Sequence, residues 1–186
     1  MSILSFNGNI MTFNGSIMSH PFDPWNPLNL PPFTMRIKLT DASYDCSDKG
    51  FTGTWTRVGT DGTWDIYYNS TNWSRILRNS LGIFGLSKEF QLLGWNSTGI
   101  TKMERLCDCC QTYMRGTIPL FDTTAVTDVT NMFYECYYID GGQLALYQQM
   151  SSQTNPPALH DCCFCKCGMN STTGAAELEQ IPSDWK

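Results

Sequence analysis

Residues 97–110 (STGITKMERLCDCC) and 123–136 (TTAVTDVTNMFYEC) superimpose without a gap at an offset of 26 positions. Their apolar positions coincide: Ile100 with Val126, Met103 with Val129, Leu106 with Met132, and Cys110 with Cys136. A unit this short cannot bury its own apolar face, so copies must lie against one another and share an interior. A third, degenerate copy closes at Cys167, with Cys163 and Phe164 where Met132 and Phe133 stand in the second. The expected repeat core is Ile100, Met103, Leu106, Cys110, Val126, Val129, Met132, Cys136, Phe164 and Cys167. Within each copy these residues step by three or four, the spacing of one helical face. Thr101 and Glu104 fit a capping box, which predicts a helix starting there. Residues 142–149 read as a helix inserted before the third copy. Matching pairs, Ile118-Pro119 and Ile181-Pro182, follow the first and third copies.

A second, smaller repeat opens the chain. Phe6, Asn7, Gly8 and Ile10 are echoed by Phe13, Asn14, Gly15 and Ile17. An Asn-Gly pair between an aromatic and an aliphatic residue is the strongest short-range hairpin signal. Two such hairpins make no core alone. They are expected to serve as a docking or oligomerisation arm over residues 1–20. Residues 21–32 carry five prolines in twelve positions and read as a semi-rigid linker.

Residues 33–95 form the expected β-rich platform. The segment 34–39 alternates apolar and polar, as a half-buried strand does. Residues 53–58 and 64–68 alternate around Thr60-Asp61-Gly62 and predict a hairpin. Residues 73–78 read as a short helix capped by Thr71 or Asn72. Residues 89–93 read as the strand leading into the repeats. Trp55, Trp64, Trp73, Tyr67 and Tyr68 form a candidate sugar-stacking face, but core burial is the commoner fate of such aromatics.

The 186 residues carry a net charge of -5 and no Lys/Arg cluster, which excludes counterion release as a route to nucleic acid. No apolar run is long enough to span a membrane as a helix. The first residues lack the basic and apolar regions of a secretory signal, so an outward role without classical export is expected. Only 16% of residues are charged, which leaves much surface neutral for a partner to cover.

Eight of the nine cysteines fall in tight groups, and reduced thiols in core positions are the leading expectation, with disulfides as an alternative. The pairs Cys107/Cys110 and Cys162/Cys165 admit a four-thiolate zinc site as an alternative, without the glycine knuckle of a zinc ribbon. His160, Asp161 and Cys162 are neighbours in sequence, which seldom poses a catalytic triad. With no phosphate loop, paired-carboxylate motif or metal-binding His-Glu pattern, no catalysis, cofactor or metal is expected.

The run 118–136 (IPLFDTTAVTDVTNMFYEC) resembles the BspA-like leucine-rich repeat, whose general form is Pro-x-Phe-Asp-Thr-Ser-x-Val-Thr-x-Met-x-x-Met-Phe-x-x-Cys. Residues 172–186 resemble the ending of such proteins in phages of gut Bacteroidales and their relatives. The likeness covers the chain from about Trp95 onward. Val129 departs from the usual methionine, and the outer copies carry cysteine where the unit favours aromatics. The resemblance implies an irregular α/β solenoid of leucine-rich repeats over residues 96–186, and with the hairpin arm and small β-rich domain read above the expected fold is α+β.

It implies a non-enzymatic virion protein, a head or tail fibre or decoration subunit displayed on the particle. The arm would meet other virion proteins or sister subunits in a homo-oligomer. Tyr113, Tyr134, Tyr137 and Tyr138 would meet host-surface glycan or protein, with neither nucleic acid nor membrane insertion involved. A bacterial surface adhesin of the same repeat family and a cysteine-rich zinc-binding protein are the alternatives.

Overall fold

A computed structural model describes residues 5–6, 9–10, 26–47, 53–77 and 88–186. Strands β1 (Ser5–Phe6) and β2 (Asn9–Ile10) pair antiparallel, with Ser5 opposite Ile10 and Phe6 opposite Asn9. That register leaves two residues between them, as an Asn-Gly turn requires. The second hairpin expected at Phe13, Asn14, Gly15 and Ile17 lies outside the described residues.

The main body is one six-stranded mixed sheet. Its members are β3 (Thr34–Leu39), β4 (Thr54–Arg57), β5 (Thr63–Tyr67), β6 (Phe90–Asn96), β7 (Met114–Thr117) and β8 (Ile139–Gly141). They run in the order β4-β5-β3-β6-β7-β8. The pairs β4–β5, β5–β3 and β3–β6 are antiparallel, whereas β6–β7 and β7–β8 are parallel. β3 is central because its alternation serves both neighbours. Met35, Ile37 and Leu39 are wholly buried, while the Arg36 guanidinium forks onto Asp65 of β5 at 2.6 and 2.8 Å. The second half of the proline-rich segment packs on this sheet: Leu30 is buried and its carbonyl accepts the Asn96 amide at 2.7 Å.

Each of β5, β6, β7 and β8 is followed by chain that reaches a tight, multi-turn segment. These segments, at 71–77, 102–110, 128–136 and 159–167, lie side by side, joined by parallel bridges Asn72–Lys102, Lys102–Asp128 and Asp128–Leu159. The Met103, Arg105, Cys107 and Cys109 amides donate to the carbonyls of Asp128, Thr130, Met132 and Tyr134. The Val129, Asn131, Phe133 and Glu135 amides donate in turn to Leu159, Asp161, Cys163 and Cys165.

This architecture corrects the expected one. The sheet is open and mixed, its strands run through both the 33–95 and 96–186 regions, and one hydrophobic core serves them all. The fold is a small α+β one, not a β-rich domain followed by an α/β solenoid. The helix predicted after Thr101 does not form, nor does the one expected at 73–78 over its described residues 73–77. An α-helix sends each amide back four residues, but here alternate amides go sideways to the next segment. Others close three-residue turns, such as Leu106 to Met103 and Asp108 to Arg105. Left-handed residues bend the chain back at each step: Arg75, Arg105, Cys109, Asn131, Glu135, Cys162 and Lys166 all have φ between 54° and 66°. A turn spacing of three mimicked the helical period of 3.6.

Only two helices form among the described residues: α1 (Gln143–Ser151), as the inserted segment predicted, and α2 (Thr172–Glu179). Gly142, just before α1, has φ +89°, and a Cβ there would stand 2.3 Å from the Ile118 carbonyl oxygen. α2 is capped by the Ser171 hydroxyl, which accepts the Gly174 amide.

The ten expected repeat-core residues are all buried. Beside them runs an aromatic file. Phe133 and Phe164 stack at 6.0 Å, Phe164 and Trp185 at 6.4 Å, and Trp95 meets Phe133 at 6.4 Å. Trp185 closes the file: its carbonyl accepts the Phe164 amide and its ring lies 4.3 Å from His160.

Candidate recognition surface

The side-by-side turns place equivalent residues in rows across neighbouring segments. One row holds Arg105 and Asn131, the next Asp108 and Tyr134, and a third Cys109 and Glu135, each pair 26 apart in sequence. Arg105, Asp108, Cys109, Asn131 and Tyr134 line a polar cleft of about 330 Å³. The backbone that carries these side chains is held on both sides by the lateral hydrogen bonds. The Arg105 Nε sits 3.6 Å from Glu104 Oε1, beyond hydrogen-bonding distance, and is buried without an acceptor.

Tyr134, Glu135 and Tyr137 form the adjoining wall. Lys166 Nζ donates to the Glu135 carboxylate at 2.8 Å. The Lys166 ammonium also lies 5.6 Å from the Tyr134 ring centre. The hydrogen bond from Lys166 is the main reason the Glu135 carboxyl is held below the ordinary glutamate range. Loss of solvent, and then the negative Glu135, push the Tyr137 hydroxyl upward. Lys166 thus bridges the Glu135 carboxylate and the Tyr134 ring.

The four tyrosines expected to bind a ligand are all half-buried, but they do not make one patch. Tyr134 and Tyr137 lie near Glu135. Tyr138 lies instead under the Arg115 guanidinium at 4.3 Å, and Arg115 is tied to Glu89 at 2.7 Å. Tyr113 packs against the hydrophobic core. Sequence reasoning missed Arg105, Asp108, Asn131, Glu135 and Lys166. The 26-residue offset could have found the first three, since it aligns them with one another or with Tyr134.

A larger cleft of about 450 Å³ lies between Asp122, Thr124, Gln148, Gln149, Ser152 and Gln153. It has no aromatic wall. The candidate aromatic face on the antiparallel strands does not form: Trp55, Trp64 and Trp73 are buried, and Tyr67 alone of the five is exposed.

The zinc alternative is not assembled. Cys162 and Cys165 are joined in a disulfide across one turn, with Cα atoms 4.7 Å apart, and the other seven cysteines are thiols. Among the described residues no group of three His, Cys, Asp or Glu is placed to hold a metal ion. Cys107, Cys110, Cys136, Cys163 and Cys167 are buried together in the repeat core. Loss of solvent, reinforced by neighbouring thiols, pushes the Cys107, Cys136 and Cys163 thiols well up, so they stay protonated. His160 stacks on Trp185, and its Nδ1 meets the Pro157 carbonyl at 3.0 Å.

Comparison with protein-family models, with curated proteins and with solved structures finds no match.

Proposed function

We propose that this chain is a non-enzymatic recognition protein that binds a host-surface saccharide in the cleft beside Tyr134. The observation carrying this reading is the composition of that cleft. The Tyr134 ring, with the Lys166–Glu135 ion pair beside it, lines one cleft together with the planar polar side chains of Arg105, Asp108 and Asn131. A pyranose offers an apolar C–H face to a tyrosine ring and vicinal hydroxyls to amide, carboxylate and guanidinium groups. Tyrosine gives large amphipathic contact at small entropic cost. Backbone held from both sides keeps those groups preorganised, which lowers the ordering cost of binding.

The resemblance of residues 118–136 and 172–186 to repeat proteins of phages extends the proposal to the particle. The protein would be a fibre or decoration subunit of the virion, docked through the paired strands β1 and β2. The test is a glycan array probed with the purified chain, followed by titration of any hit against Tyr134→Ala and Asn131→Ala. Each substitution is expected to weaken binding about tenfold or more, the size of a contact central to an interface. An array with no hit, or affinities unchanged by both substitutions, would refute the saccharide reading. Immunogold labelling of purified particles tests the virion assignment, and unlabelled particles would end it.

A further inference from the structure

We propose that Cys162 and Cys165 are a reversible redox couple at the protein surface, exchanging with external dithiols while the fold stays intact. Three observations carry this. The first is the contrast among the cysteines. Cys162 and Cys165 are both partly exposed, as is the thiol of Cys109, whereas Cys46, Cys107, Cys110, Cys136, Cys163 and Cys167 are buried. Exchange requires a thiolate to reach a disulfide sulfur, so exposure separates reactive from inert sulfur.

The second is the backbone. The Cys165 amide donates to the Cys162 carbonyl, closing a turn, and the neighbouring segments repeat that bond without any disulfide, from Asp108 to Arg105 and from Tyr134 to Asn131. The turn geometry is therefore set by the fold, and it presents the two sulfurs to one another whether or not they are bonded. The third is loop length. The bond spans only three residues in sequence, so it restrains the unfolded chain less than a bond closing a long loop would. Opening it leaves the lateral hydrogen bonds of Phe133 and Glu135 to this segment, and that of Phe164 to Trp185, in place.

The exchange is balanced with a dithiol as reductant. A thiolate of the reductant attacks one sulfur, the Cys162–Cys165 bond breaks, and the displaced cysteine leaves as thiolate and takes a proton. The reductant's second thiol then attacks the mixed disulfide. This releases the other cysteine and leaves the reductant oxidised as its own disulfide, a transfer of two electrons and two protons to the protein. Oxidised dithiol reverses every step. The couple sits one segment along from Asn131 and Tyr134, and the Cys165 carbonyl accepts the Glu135 amide. Its chemistry does not depend on what that surface binds.

The test uses the full chain, purified without reductant and kept native. Peptide mapping after alkylation should find Cys162 and Cys165 joined. Dithiothreitol without denaturant, followed by N-ethylmaleimide, should add two labels at these positions. Cys107, Cys136, Cys163 and Cys167 should take label only after unfolding. Oxidised dithiothreitol applied before the alkylation should abolish the two added labels, with the near-ultraviolet circular dichroism unchanged throughout. The Cys162→Ser/Cys165→Ser variant should fold and show no dithiothreitol-dependent gain. Labels distributed over the buried thiols, reduction that proceeds only in denaturant, or a purified chain with both cysteines already free would each overturn the proposal.

Discussion

Phe164 offers the sharpest test of how the repeated segments are held together. Its side chain is wholly buried between Phe133 at 6.0 Å and Trp185 at 6.4 Å, with both neighbouring rings nearly parallel to it. Truncation to alanine removes the ring's transfer free energy and leaves a cavity that flanking backbone, fixed by lateral hydrogen bonds, cannot collapse to fill. Phe→Ala at such a site costs about 3–5 kcal/mol, of which each lost ring pair accounts for about 0.5–1.5 kcal/mol. Measured against a total stability of about 5–15 kcal/mol, the loss is large, and at about 2–4 °C per kcal/mol it lowers Tm by about 6–20 °C. Urea unfolding followed by tryptophan fluorescence measures it directly, because Trp185 is Phe164's stacking partner. Phe164→Leu should recover much of the difference, since it restores most of the volume and none of the stacking. A Phe164→Ala loss below about 1 kcal/mol, with the denaturant slope unchanged, would show that the aromatic file does not hold the segments together.

Two further outcomes follow from the same structure. At Gly174, in the first turn of α2, a Cβ would stand 2.3 Å from the Ile139 carbonyl oxygen and 2.7 Å from that of Gly168. Because both are backbone, Gly174→Ala should cost at least about 2 kcal/mol, towards the upper part of the overpacking range, and a thermal melt matching wild type would refute that close approach. The Glu135 carboxyl has its folded-state value lowered, chiefly by the hydrogen bond from Lys166. The stability it contributes is therefore present above the ordinary glutamate value of about 4.3 and is lost as pH falls through the lowered one. Glu135→Gln should flatten that part of the acid limb in urea midpoints between neutral pH and pH 3. Acid sensitivity from Asp41 and Asp61, lowered to about 2 first by Lys88 and Lys38 respectively, should persist in the variant. An acid limb identical in the two proteins would remove Glu135 from the account.

Much of the strand structure was legible in the sequence because alternation is a local property. The period of two in 34–39 and the Asp61-Gly62 turn between 54–57 and 63–67 specify β3, β4 and β5 without reference to the rest of the chain. The repeat was legible too, since an offset of 26 aligns Met103 with Val129 and Cys110 with Cys136, and all four are buried. The segment 71–77 is a further copy, joined to the next by the Asn72–Lys102 bridge: Thr71, Arg75, Ile76 and Leu77 stand where Thr101, Arg105, Leu106 and Cys107 do at an offset of 30, a spacing that differs from 26 and hides the repeat. Around the candidate cleft, the sequence singles out Tyr134 and Tyr137 but not the Glu135–Lys166 pair beside them, because that pair forms between segments 31 residues apart.

The sequence by itself determined which side chains go inside, because the pattern of apolar residues is written along one dimension. It did not determine the backbone that carries them. A three-residue turn and a helical turn place the same side chains on one face, and they differ only in where the amides donate. That choice belongs to the neighbouring segment, whose carbonyls at Asp128, Thr130, Met132 and Tyr134 take the amides a helix would have kept. The sheet order was likewise settled in three dimensions. β3 lies between β5 and β6, so its buried Met35, Ile37 and Leu39 unite chain from both halves in one interior.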